Sequence, residues 1–163
     1  MDEIVLRSLQ KWPDTPDVYG WLALDRRGEW RLNNPWRGVF ERIGNPALRQ
    51  FIGRNYERDA RGCWFFQNGP QRVFVKLAYT PLVVRLENGS LLDHCGRAFG
   101  APAGTWLDDE GSILFSGALG VAVLDDRDLE RFAARLGEAA ERLPRIARDE
   151  LPARFGFIPE PRP

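Results

Sequence analysis

Six residues on one short stretch carry the groups best suited to hold a small ligand: Trp64, Phe66, Gln67, Asn68, Gln71 and Arg72. The amides bring donors and acceptors, and a guanidinium offers a planar fork that matches a carboxylate or phosphate. Aromatic walls beside a few convergent polar groups are the usual make-up of small-molecule sites. The stretch predicts a pocket in which Arg72 pairs an anionic group and the amides orient it. The competing reading is an ordinary hairpin loop, with Asn68-Gly69-Pro70 supplying the turn.

Other chemistry-bearing residues point to structure. Asp93-His94-Cys95 holds the single histidine and one of two thiols. Neighbouring residues of a strand face opposite sides, so His94 is poorly placed to activate Cys95. Zinc needs about four ligands, and Cys63, His94 and Cys95 fall short. The acidic runs Asp108-Asp109-Glu110 and Asp125, Asp126, Asp128 do not follow the spacing of a calcium loop. They suit turns and helix caps. Phosphate-loop, zinc-protease, Cys-x-x-Cys and nucleophile-elbow motifs are absent. No catalytic residue, metal or cofactor is assigned, although carboxylates brought together by the fold keep an enzyme of unknown class open. The main rival to ligand binding is single-stranded nucleic acid. Ten arginines (Arg26, Arg27, Arg31, Arg37, Arg42, Arg49, Arg54, Arg58, Arg61, Arg72) interleave with Trp21, Trp30, Trp36 and Trp64, a pattern that suits base stacking beside a cationic groove. Against it, 23 basic and 23 acidic side chains leave the chain neutral.

These residues need elements to position them. Asp-x-x-Gly recurs at Asp25–Gly28, Asp59–Gly62 and Asp108–Gly111, each before a strand-like run, and Asn88-Gly89 marks a tight two-residue turn. A short helix is expected over 2–12. A second starts at Asn45-Pro46, with Leu48, Phe51, Ile52 and Tyr56 on one face. A third is expected from a cap at Asp126 to about Leu143. Asn45-x-x-Leu48-x-x-Phe51 matches Asp126-x-x-Leu129-x-x-Phe132, which suggests an internal repeat. The end of the chain, 151–163, reads as extended.

The run from Trp21 to Leu86 resembles small bacterial proteins known only as a family of unknown function. The residues that carry the likeness are Trp21-Leu22-Ala23-Leu24-Asp25-Arg26-Arg27-Gly28, Asn45-Pro46-Ala47-Leu48 and Trp64-Phe65-Phe66-Gln67-Asn68-Gly69-Pro70-Gln71-Arg72-Val73. The order of elements is similar to a second family of unknown function, built of two related halves in which antiparallel strands wrap a helix. That resemblance implies a role in signalling or ligand sensing and transfers no catalytic residues.

Composition sets the frame. With 163 residues, 44% apolar and 28% charged, the chain is globular and is not a disordered chain, coiled coil or fibre. Charge is uneven: residues 1–86 carry 14 basic and 9 acidic groups, and the remainder reverses those numbers. Twenty-one arginines against two lysines suggest a GC-rich bacterial genome. An acidic start, no long apolar run and two cysteines point to the cytoplasm and to no membrane partner. The expected fold is α+β: a single domain over 1–163 with related halves at 18–92 and 93–150, each of hairpins and a strand around one amphipathic helix. The expected function is a non-enzymatic ligand-binding or regulatory module whose partner is a small anionic ligand or another protein.

Overall fold

The computed structural model describes residues 1–163. They form two compact units, the first from Met1–Asp25, Glu29–Ala78 and Phe157–Pro163, the second from Arg26–Gly28 and Tyr79–Gly156. Each unit holds one six-stranded sheet. The α+β class stands, but the division falls after Ala78 and not between 92 and 93.

In the first unit α1 (Glu3–Lys11) precedes β1 (Val18–Leu24), β2 (Trp30–Asn34) and β3 (Val39–Arg42). Helix α2 (Pro46–Arg54) leads to β4 (Tyr56–Arg58), β5 (Trp64–Asn68) and β6 (Gln71–Leu77). The sheet order is β3-β2-β1-β6-β5-β4. Two antiparallel meanders therefore meet at a parallel pair, β1 beside β6, with Leu22 opposite Val75 and Leu24 opposite Leu77. Helix α2 starts as its residues dictate: Pro46 occupies the first turn and the Asn45 side chain accepts from the Leu48 amide. Trp30, Tyr56 and Trp64 pack in series, with ring centroids 4.9 Å apart in each pair.

In the second unit β7 (Leu82–Glu87) and β8 (Ser90–Asp93) form a hairpin around Asn88-Gly89, both at positive φ as a tight two-residue turn demands. Then come β9 (Gly104–Asp108), β10 (Ile113–Gly117) and β11 (Gly120–Leu124), α3 (Leu129–Leu136), β12 (Arg145–Ile146) and α4 (Leu151–Phe155). The sheet order is β12-β9-β10-β11-β7-β8, with β11 parallel to β7. An antiparallel bridge from Leu92 to Ala98 continues the meander past β8.

The two sheets share one plan, two meanders joined at a parallel pair, to which the second sheet adds β12 parallel to β9. The helices enter it differently. Helix α2 lies between the meanders in chain order, whereas α3 follows the last strand of its second meander. Each nonetheless sets a phenylalanine edge-on against its sheet. Phe51 meets Phe66 of β5 at 5.4 Å, and Phe132 meets Phe115 of β10 at 5.2 Å. Phe66 and Phe115 each stand seven residues after the aspartate of their turn, Asp59 and Asp108.

Two expectations need correction. The third helix is shorter than expected and is not capped by Asp126. A 3-10 turn over Asp126–Asp128 precedes α3, the Asp125 side chain is its cap, and Gly137 at φ 54° ends the helix. The segment 151–163 is not simply extended. Helix α4 buries Leu151 and ends at Gly156, and Phe157 is buried. In the first unit, Ile158 donates to the Gly62 carbonyl and Leu77 to that of Pro159. No helix is long and apolar enough to cross a membrane.

Candidate functional site

The six expected site residues sit on the β5–β6 hairpin, and its register decides which of them can act together. Asn68 faces Gln71, Gln67 faces Arg72, and Phe66 faces Val73. Side chains alternate along a strand, so opposed pairs share a face and neighbours do not. Phe66, Asn68, Gln71 and Val73 stand on the α2 side of the sheet. Gln67 and Arg72 stand on the other.

The α2 side holds an open groove of about 430 Å³. Its walls are apolar: Leu22 and Leu32 from the β1–β2 pair, Leu48 and Ile52 from α2, and Phe66. Trp21 forms a lip. Trp21 is 50% exposed, Leu32 46% and Leu48 40%, high values for side chains of this size gathered in one place. The polar groups are the amides of Asn68 and Gln71. Gln71 donates to the Pro16 carbonyl at 3.1 Å, which leaves its amide oxygen to accept from a ligand.

The remaining expected residues are engaged elsewhere. Gln67 is 2% exposed and donates to the Gly69 carbonyl at 2.9 Å, so it braces its own turn. Arg72 makes a two-pronged pair with Asp17, both bonds at 2.9 Å, and lies over the rings of Phe65 and Phe74. Trp64 is buried against Tyr56 and does not line the groove. Arg72, expected to pair an anionic ligand, is instead paired with Asp17 and does not line the groove. The residues that sequence reasoning missed are Trp21, Leu32 and Leu48. The first two were legible as hairpin positions and Leu48 as part of a helix stripe, but nothing local distinguishes the rim of a groove from the middle of a core.

The segment Asp93-His94-Cys95-Gly96 is a fourth copy of the Asp-x-x-Gly turn. At Asp59, Asp93 and Asp108 the aspartate Oδ1 accepts from the amides two and four residues on: Arg61 and Cys63, Cys95 and Arg97, and Glu110 and Ser112. At Asp25 it accepts from Glu29. His94 and Cys95 are therefore the central residues of a turn. His94 Nδ1 accepts from the Val83 amide at 3.3 Å. Burial, reinforced by the charge of Asp93, pushes the Cys95 thiol up to about 12. Burial also raises the Cys63 thiol, so both cysteines are held as thiols and not as nucleophilic thiolates.

The acidic runs are tied down as well. Asp126 pairs Arg27, Glu110 pairs Arg26 and Arg148, and Asp128 pairs Arg85 and Arg131. No group of three His, Cys, Asp or Glu side chains is placed to hold a metal ion. Of the ten arginines that interleave with tryptophan, nine stand in ion pairs, and Arg58 is the exception. Trp30 and Trp64 are buried and cannot stack on bases.

Comparisons with known proteins give a family and a similar fold, and are silent on chemistry. A family model, DUF2944, described as "Protein of unknown function (DUF2946)", matches residues 1–162. A crystal structure of a DUF1285 family protein from Silicibacter pomeroyi DSS-3 is similar to this chain with a TM-score of 0.54 and 15% identity. The likeness covers 74% of this chain and 72% of that one. A DUF1285 family protein from Shewanella baltica OS155 gives a TM-score of 0.49 at 14% identity, over 73% of this chain and 94% of the other. A search of curated proteins finds no match.

Proposed function

We propose, for a chain that belongs to the DUF2944 family of proteins of unknown function, a non-enzymatic role as a ligand-binding module. Its ligand is a small apolar molecule with an uncharged polar end, held in the groove between α2 and the first sheet. The observation that carries this is the exposed apolar wall of Trp21, Leu32 and Leu48, met only by the amides of Asn68 and Gln71. A volume of about 430 Å³ lies within the ordinary range of small-molecule sites. Amides without a free cation select a hydroxyl, ester or amide end over a carboxylate. This departs from the anionic ligand expected from Arg72.

Other parts of the reading rest on weaker supports. Two free cysteines, Cys63 and Cys95, fit a reducing compartment such as the cytoplasm. The shared sheet plan and the matching Phe51–Phe66 and Phe132–Phe115 contacts support descent of the halves from one repeat. Pairing of nine arginines weighs against a nucleic-acid backbone, which needs free cations to release its counterions.

The test uses 1-decanol as probe on the full chain, followed by tryptophan emission. Saturable binding with a blue shift from Trp21 is expected. Leu48→Glu lies at an open rim, so the fold tolerates it. A carboxylate at an apolar mouth is expected to weaken decanol binding at least tenfold, about 1.4 kcal/mol. Absence of saturable binding to the wild type, or undiminished binding to Leu48→Glu, sinks the reading.

A further inference from the structure

The second unit has its own groove on the corresponding face of its sheet, beside α3, with a volume of about 670 Å³. Leu86, Leu91, Phe115, Phe132 and Leu136 supply an apolar trough. Its polar furnishing differs from that of the first groove. Arg135 of α3 stands on its wall, with Ser90 and Thr105.

Arg135, Arg145 and Arg154 are the arginines of this unit without an acidic partner, and of these Arg135 lines the groove. Arg26, Arg27, Arg85, Arg97, Arg127, Arg131 and Arg148 each have an acidic partner within 4 Å. Arg135 has none, and its guanidinium is anchored instead by donating to the Gly89 carbonyl at 3.0 Å. That bond fixes the head of the side chain at the groove while leaving its charge uncompensated. The loop of Gly100, Ala101 and Pro102 also lines the groove. The amides of Gly100 and Ala101 make no hydrogen bond within the protein. A positively charged fork and unused backbone donors around an apolar trough are complementary to an anion that carries an apolar chain.

We propose that this groove binds a linear aliphatic monocarboxylate, with its carboxylate on Arg135 and its chain along Phe115, Phe132, Leu86 and Leu91. One guanidinium matches one carboxylate in charge and in two-pronged geometry. A phosphate dianion calls for more cations than the single one present. The proposal is independent of the first groove: it uses other residues and a ligand with a charged head in place of an uncharged one.

The test is calorimetric titration of the full chain with decanoate and, separately, with 1-decanol. Decanoate is expected to bind the wild type. Arg135→Gln, at an exposed position, removes the charge and the guanidinium fork while keeping a polar side chain. It is expected to lower decanoate affinity at least tenfold while decanol binding is unchanged. Leu48→Glu, in the other groove, is expected to leave decanoate binding intact. Decanoate binding that survives Arg135→Gln, that disappears in Leu48→Glu, or that is absent from the wild type overturns the assignment.

Discussion

Replacing Asp128 by Ala is expected to destabilise the second unit by about 3 kcal/mol, a large part of the roughly 5–15 kcal/mol by which domains are stable. Asp128 is buried and its Oδ2 accepts from Arg85 Nε at 2.7 Å and from the Leu86 amide at 2.9 Å. Its Oδ1 accepts from Arg131 at 2.9 Å. The three donors differ in what they lose. Arg85 and Arg131 are partly exposed and can turn to water, so their share of the pair is modest. The Leu86 amide is buried and cannot, and an orphaned buried donor costs about 1–3 kcal/mol. The cavity and the loosened turn ahead of α3 add to this. Hydrogen exchange at amides of β7 and β11 reads the second unit alone. Protection factors there should fall about a hundredfold, and unchanged protection would show the carboxylate to be dispensable.

The same group makes stability depend on pH in a defined direction. Burial alone would raise the Asp128 pKa, but the bonds from Arg85 and Leu86 outweigh it and hold the carboxyl below its ordinary 3.8. Asp108 behaves alike: burial raises it, and donation from Tyr79 and the Ser112 and Glu110 amides brings it below 3.8. A carboxyl depressed by folding binds protons more readily when unfolded. Its contribution is therefore complete above 3.8 and is lost as pH falls through the lower, folded values. Acid unfolding of the wild type should steepen below pH 4, and the Asp128→Ala variant should show a shallower dependence over the same window. Identical slopes would contradict the linkage.

What could be read from the sequence follows from how local each cause is. Asp25, Asp59 and Asp108 announce their turns because an Asx side chain bonds its own backbone within four residues. Asn88-Gly89 does so because only a few residues accept two positive φ angles. Asp93 belongs to the same set, yet His94 and Cys95 inside its turn invite a chemical reading and hide it. The parallel pairs that join the meanders have no local signature. Partners β1 and β6, or β7 and β11, are brought together only by the whole chain between them, which is why local signals place 82–92 in the first half. Alternation divides the expected binding stretch between the two faces of the sheet. The tight turn between Asn68 and Gln71 sets the register, and that register places Arg72 behind the sheet on Asp17, while Asn68 and Gln71 reach the groove.

Gly28→Ala is expected to cost about 3 kcal/mol, against about 1 kcal/mol for Gly111→Ala in the comparable turn. Both glycines lie in the left-handed region, Gly28 at φ 77° and Gly111 at φ 84°, so both variants carry the strain of an L-residue there. Their surroundings differ. A methyl on Gly111 meets open space, whereas one on Gly28 would stand 2.5 Å from His94 Cβ. A Cβ is fixed to its backbone and cannot swing aside, so one of the two turns must shift. His94 is held by its own amide on the Val83 carbonyl at 2.8 Å and by Nδ1 accepting from the Val83 amide. The close approach is to the Cβ of His94, so the constraint falls on position 28, where only a glycine fits without a shift. Protection at β7 amides measured for both variants separates strain from contact. Equal losses would mean that the Gly28–His94 approach contributes nothing, and a loss confined to Gly28→Ala identifies that contact as the tighter constraint.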